Sequence, residues 1–474
     1  MRFAFGILTG LVLTLTTAPA VAQEVVAITH VSVIPMDRER VLPDQTVLVR
    51  DGRIVSIGAA ASVRVPADAR RVDGAGKFLI PGLTDMHAHL FSDAAVPDSV
   101  APDELRIMLA NGVTTARLMM GTPEQLRLRE RVRRGEVAGP SLFIASPQFA
   151  GRIYGDTAWF NGRVAAAPEQ ARAAVRQVKA EGYDYVKLTL FISVPVYEAI
   201  VDEAARVGIR VIGHVDPQVG LARALAAGQQ IEHLAMYFEA ALRDGAPMTA
   251  SVSDYFVYRP ANWESLDWLD DAKLDSLGRA TAAAGVWSSP TLTFFKLAFG
   301  IGQPDEVIQA RPDYAVLPDS LRRQMVEGRD YYWRNPPSAE RRARYVEARN
   351  RIVRAIYQAG GHILAGSDSP EFFLVYGWTL HRELESLVEA GLPPFAALEA
   401  ATRNPAEWLG TLAESGTIEP GKRADLVLLD ANPLADIRNT QRIAGVMRAG
   451  RWYPAAELAR MIDESAARIR NSLP

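Results

Sequence analysis

Between residues 79 and 368 the chain alternates short apolar runs with stretches of helical spacing, and it does so eight times. The runs cover 79–89, 115–120, 141–146, 185–190, 210–215, 230–234, 286–292 and 362–368. Amphipathic patterns such as 168–178 and 196–207 lie between them. Strands joined through a helix run parallel, because a long crossover is needed to return to the same end of a sheet. Eight such units without a long hairpin predict an α/β fold of the TIM type, a (β/α)8 barrel. Gly112, Gly182, Gly208, Gly228, Gly285 and Gly360 stand where helical patterns stop, the place that favours positive φ.

The two ends of the chain have another rhythm. Residues 25–28, 31–34 and 46–50 are rich in β-branched side chains, and Asp51-Gly52 is a hairpin signal before 53–57. Helices are expected at 379–390 and 394–410, and strands return at 425–430 and 443–448. The expectation is one small β-sandwich domain built from 23–80 and 416–454, beside a barrel over 81–415, with a last helix within 455–474. Residues 293–350 exceed what a barrel needs and hold Phe294, Phe295, Phe299, Tyr314, Tyr331, Tyr332 and Trp333. They read as a lid or substrate wall, or else as a surface helical insertion or an oligomer contact.

Composition narrows the chemistry. A chain of 474 residues suits a large barrel with a satellite domain. The 52 basic and 55 acidic residues leave a net charge of −3, with no basic surplus to draw it to nucleic acid or anionic membrane. There is no cysteine, which excludes disulfides, thiolate metal sites and cysteine nucleophiles. Residues 1–22 have the pattern of a signal peptide: Arg2, an apolar run to Leu15, and Ala20-Val21-Ala22 as a cleavage signal. Read as an uncleaved anchor instead, the run is short for a membrane span. Cleavage after Ala22 predicts an exported enzyme, periplasmic or secreted.

Histidines end several of the predicted strands. His87 and His89 are two apart at the end of the first, so both imidazoles point to one face and can share an ion. Lys187 is a single lysine in an apolar strand, and burial of an ammonium is costly unless it is paired or neutralised. A carbamate formed with CO2 would resolve this, and so would a salt bridge. His214 and His233 fall at the ends of the fifth and sixth strands, and Asp368 ends the eighth. A carboxylate there can bind an ion and accept a proton from water. His30, His362 and His381 lie in the β-domain, at the start of the eighth strand and on a helix, away from the strand ends.

The motif ending His87-Ala88-His89, with Gly112-Val113-Thr114-Thr115, Ile231-Glu232-His233, Gly366-Ser367-Asp368 and the segment from Gly416 to Leu426, resembles the amidohydrolase superfamily over nearly the whole mature chain. Within it the chain resembles the binuclear branch that includes metal-dependent prolidases. That resemblance implies two divalent ions, zinc foremost, with manganese or cobalt as alternatives. His87, His89 and Asp368 would hold one, His214 and His233 the other, and carboxylated Lys187 would bridge them. Mononuclear deaminases of the family carry a glutamate three residues after the strand-five histidine. Pro217 stands there in this chain, which argues against ring deamination.

The expected activity is hydrolysis of an amide or peptide C–N bond, in a dipeptide or an N-acyl amino acid. Asp368 would move the proton of a water activated between the two ions. Lactone or ester hydrolysis on the same centre is the second reading, and a non-catalytic binding protein on a retired barrel the third. Tyr154, Tyr237, Tyr258 and Arg259 are candidate substrate-binding residues. The expected partner is a small-molecule substrate, with no nucleic acid, and with no membrane after signal cleavage. The family resemblance also implies a homo-oligomer.

Overall fold

The computed structural model describes residues 25–90, 99–153, 162–247, 260–298, 304–332 and 336–472. The expected signal segment 1–22 and Tyr154, Tyr258 and Arg259 lie outside these residues. Each of the eight expected runs supplies a strand. Leu83–Ala88, Val113–Leu118 and Ser141–Ile144 pair in parallel as one sheet. Tyr185–Leu188, Arg210–Gly213, Gln230–Glu232, Trp287–Ser289 and His362–Ile363 follow one another in a second parallel sheet. Two short strands that periodicity did not predict, Gln148–Ala150 and Gly162–Val164, extend that sheet at its edge.

Parallel contacts also join the edges of the two sheets. Ala145 bridges Tyr185, and Ala88 bridges Ser369. The Ser146 amide donates to the Tyr185 carbonyl at 2.8 Å, and the Met86 amide to the Ala365 carbonyl at 2.9 Å. Strands such as Val113–Leu118 are buried at every position, as expected when helices cover one face and an interior the other. Helix Pro168–Glu181 shows why the crossovers form. Proline opens it, Ala171, Val175 and Val178 form its buried stripe, and Gly182 ends it at φ +89°. Each of its two buried valines contributes about 1.5–3 kcal/mol.

Both chain ends meet in a single eight-stranded sheet. Its path runs Arg451–Pro454, Ile443–Arg448, Leu426–Leu429, Phe78–Pro81, Val26–Val33, Leu42–Arg50 and Arg53–Ala59, with Arg70–Asp73 also on Val26–Val33. Pairing is thus continuous from one chain end to the other. Val26–Val33 loses register between Ile28 and Val31, where His30 takes φ +57°. This bulge lets one strand pair with Arg70–Asp73 in its first half and Phe78–Pro81 in its second. Leu426–Leu429 is buried throughout because it serves two cores. Leu426 and Leu428 pack with Val26, Ile28 and Met447, while Val427 and Leu429 join the large cluster of the α/β body.

The stretch expected as one insertion divides in two. Helix Ala339–Gln358 packs along Asp271–Ala283 and leads directly into strand His362–Ile363, so it occupies the place of an ordinary crossover helix. The extra material is therefore shorter than 293–350. It includes Leu292–Ala298, Asp305–Gln309 and Asp319–Tyr332. The expected last helix is present as Ala455–Ser472, packed on Ala101–Ala110.

Candidate metal centre

Strand Leu83–Ala88 delivers Asp85, His87 and, one residue beyond it, His89 at alternate positions. The Asp85 carboxylate accepts from the Ser367 hydroxyl at 2.6 Å, the Ser367 amide at 3.0 Å and the His87 amide at 3.1 Å. The Asp368 amide donates to the His87 carbonyl at 2.7 Å. These bonds tie the ends of the first and eighth strands together and set Asp368 at φ +57°. Non-glycine residues with positive φ concentrate at functional sites, and His233 at φ +59° is another here.

The side chains converge. Asp368 Oδ1 lies 3.1 Å from His87 Nε2 and 3.3 Å from His89 Nε2. Ligand atoms of His87, His89 and Asp368 all lie within 4.8 Å of one another. His233 Nδ1 is 3.7 Å from Asp368 Oδ2. The His233 ring is centred 4.6 Å from that of His87 and 4.8 Å from that of His214. Lys187 is buried on the strand beside the one that leads to His214, and its charge reaches Glu232, His233 and Glu371. All six residues expected to form the site are thus gathered in one region.

The protonation states suit a cation. Burial holds the His233 imidazole well below its usual range, so it is neutral and keeps a lone pair. Burial alone would raise Asp368, but the imidazoles packed against it, His87 foremost, hold it well below the usual carboxylate range. His87 Nδ1 lies 2.7 Å from Glu232 Oε2, and its Nε2 faces Asp368. Imidazole nitrogens and carboxylate oxygen at this spacing fit zinc, manganese or cobalt.

Four neighbours were not singled out from the sequence. Glu232 and Arg117 are fully buried, with Arg117 Nη2 2.5 Å from Glu232 Oε1. Arg117 is a lone basic residue in an apolar strand, the signal that drew attention to Lys187. Asp85 sits two residues before His87, on the same side of the strand. Glu371 keeps a solvent-accessible surface, yet burial among protein atoms and the nearby Asp368 carboxylate push it up to about 7.

An aromatic wall stands beside the histidines. Phe294 and Phe295 lie 6.3 and 6.2 Å from the His233 ring, and Phe372 is 5.8 Å from Phe294. Glu383 accepts the Leu292 and Thr293 amides at 2.9 and 2.8 Å, satisfying the start of the helix that carries these rings. Arg349 donates to the His233 carbonyl at 2.6 Å and covers Phe295 at 3.3 Å. Tyr237, expected to touch substrate, has no accessible surface, and its hydroxyl is 2.7 Å from Thr281 Oγ1. That is a packing position, and the expectation is corrected.

Residues 78–453 match the amidohydrolase family, and the chain belongs to it. A Bifidobacterium longum protein assigned as a prolidase superposes with a TM-score of 0.68 at 27% identity, covering 94% of this chain and 99% of that one. Bottromycin amidohydrolase superposes with a TM-score of 0.72 at 24% identity, covering 94% of this chain and 90% of that one. Enamidase from Eubacterium barkeri is 35% identical over 83 residues, which are 18% of this chain and 21% of the enamidase. The stretches shared with curated relatives span under a quarter of those proteins' own length. The family and the B. longum structure imply a TIM barrel plus a second domain.

Proposed function

We propose that this chain is a metal-dependent amidohydrolase that cleaves an amide or peptide C–N bond in a small substrate, a dipeptide or an N-acyl amino acid. The bridges Ala145–Tyr185 and Ala88–Ser369 between the two parallel sheets support closure of the eight strands as the barrel that presents the site. The observation that carries the reading is the convergence of His87, His89 and Asp368 with the His233 and His214 rings beside them. His87, His89 and Asp368 would hold one divalent ion, His214 and His233 a second, and a carbamate on Lys187 would join the two. Such a pair, zinc or else manganese or cobalt, supplies Lewis acidity and an acidified water when bound.

The chain's own groups do the rest. Asp368, an ionised carboxylate, takes a proton from the attacking water as its oxygen adds to the carbonyl carbon. It then returns that proton to the leaving nitrogen as the C–N bond breaks, giving a carboxylic acid and an amine. Phe294 and Phe295 exclude water on one side and offer an apolar contact. The likeness to a protein assigned as a prolidase supports the substrate class. Removal of 1–22 would leave an exported enzyme, periplasmic or secreted, and a homo-oligomer, which cell fractionation and sedimentation test.

Two measurements decide. Metal-loaded protein is screened against dipeptide, N-acyl amino acid and lactone libraries, with product analysis. Amide turnover is expected, and turnover of lactones alone overturns the substrate class. Asp368→Asn should keep the fold and most of the metal yet lose ~10²–10⁴-fold in turnover. Full activity in that variant removes Asp368 from the mechanism.

A further inference from the structure

Arg117 has no accessible surface and reaches three elements at once. Its Nε donates to the Met86 carbonyl at 2.6 Å, its Nη1 to Gln230 Oε1 at 2.9 Å and its Nη2 to Glu232 Oε1 at 2.5 Å. The Trp408 ring lies 4.9 Å from the guanidinium carbon. The other oxygen of Glu232 is 2.7 Å from His87 Nδ1. The order Arg117–Glu232–His87 therefore runs from the second strand through the sixth to the first, and it ends on the imidazole whose Nε2 faces Asp368.

We propose that Arg117 and Glu232 are positioning residues that select the tautomer of His87. A neutral imidazole carries one proton, and only the bare nitrogen can bind an ion. Arg117 has donors and no acceptor, so it orients Glu232 and balances its charge. The remaining carboxylate oxygen can only accept, so it holds a proton on Nδ1 and, with an ion bound, leaves Nε2 as the ligand. A carboxylate of this kind also fixes the ring's direction and raises its basicity. The proposal rests on His87 being a metal ligand, as the preceding reading has it.

The consequence is specific. In Glu232→Gln the fixed donors of Arg117 claim the new amide oxygen, which turns the amide NH2 toward His87 Nδ1. The imidazole proton then moves to Nε2 and blocks it. Zinc and manganese dissociation constants, measured by chelator competition, should rise ~10–100-fold. Arg117→Met/Glu232→Gln frees the amide to turn its oxygen back to Nδ1–H, and affinity should recover most of that loss. A role confined to packing predicts the opposite, since the double variant removes more contacts than the single one.

Two results overturn the proposal: unchanged affinity in Glu232→Gln, or a double variant no better than the single. His87→Ala separates the two readings. If it leaves affinity unchanged, the metal-site assignment of His87 fails. If it weakens affinity while Glu232→Gln does not, only the positioning role fails.

Discussion

Lys187 shows how far a single residue depends on its surroundings. It is buried in strand Tyr185–Leu188 with its charge acting on His233, Glu232 and Glu371. As a carbamate it would be an anionic oxygen ligand between two ions. Lys187→Ala should then bind about one ion per chain and lose at least the ~10–100-fold that removing a ligand's hydrogen-bond partner costs. A short-chain acid such as acetate should restore part of the activity. Elemental analysis against protein concentration checks this, and unchanged metal content would count against the bridge. The buried arginine in Val113–Leu118 carries a sequence signal of the same kind as the buried lysine in Tyr185–Leu188. Both stand next to last in their strands, Arg117 in Val113–Leu118 and Lys187 in Tyr185–Leu188, so position along the strand does not separate them.

The first and eighth strands meet through the smallest residue available. A Cβ on Gly366 would stand 2.6 Å from both His87 Cβ and Ser289 Oγ, and 2.9 Å from the His87 amide nitrogen. Two of these atoms belong to the body of a site residue and cannot rotate away. Gly366→Ala should destabilise the fold by about 1–3 kcal/mol and move Asp368 from His87. Thermal unfolding and metal content measure the two effects, and a variant with native values for both would show that the strands have slack. The existence of the eight strands was readable from periodicity, but their lengths were not. The last expected run, 362–368, pairs as a strand only over His362–Ile363. Beyond it the Ala365 amide turns to the Ala400 carbonyl, and Ser367 turns to the Asp85 side chain. Those partners are remote in sequence, so no local pattern announces them.

Over the whole molecule, His381 links distant parts. Its Nε2 donates to the Asn111 carbonyl and its Nδ1 faces Thr440 Oγ1, both at 3.0 Å. Burial pushes the imidazole down to about 4 from an ordinary 6.5. The folded chain thus binds this proton less readily than the unfolded chain. Its contribution is present in full above pH 6.5 and is lost as pH falls toward 4, roughly 3 kcal/mol at most. Urea unfolding of the native chain and His381→Gln at pH 7, 6, 5 and 4.5 should show the variant less stable at pH 7 and the two converging in acid. A constant difference across that range would show that His381 does not carry the effect.

Residue order by itself determined the alternation of strands and helices, the return of both ends to one β-structure and the strand-end positions of His87, His89, Lys187, His214, His233 and Asp368. These are local properties, set by periodicity and by the place of a polar residue within an apolar run. Only the tertiary structure decided that the second half of 293–350 is a crossover helix, that Tyr237 is a packing residue and that Glu232 and Arg117 stand in line behind His87. Arg117 and Glu232 are 115 residues apart. Whether a buried charge is satisfied depends on what lies across the interior from it, and spacing along the chain does not carry that distance.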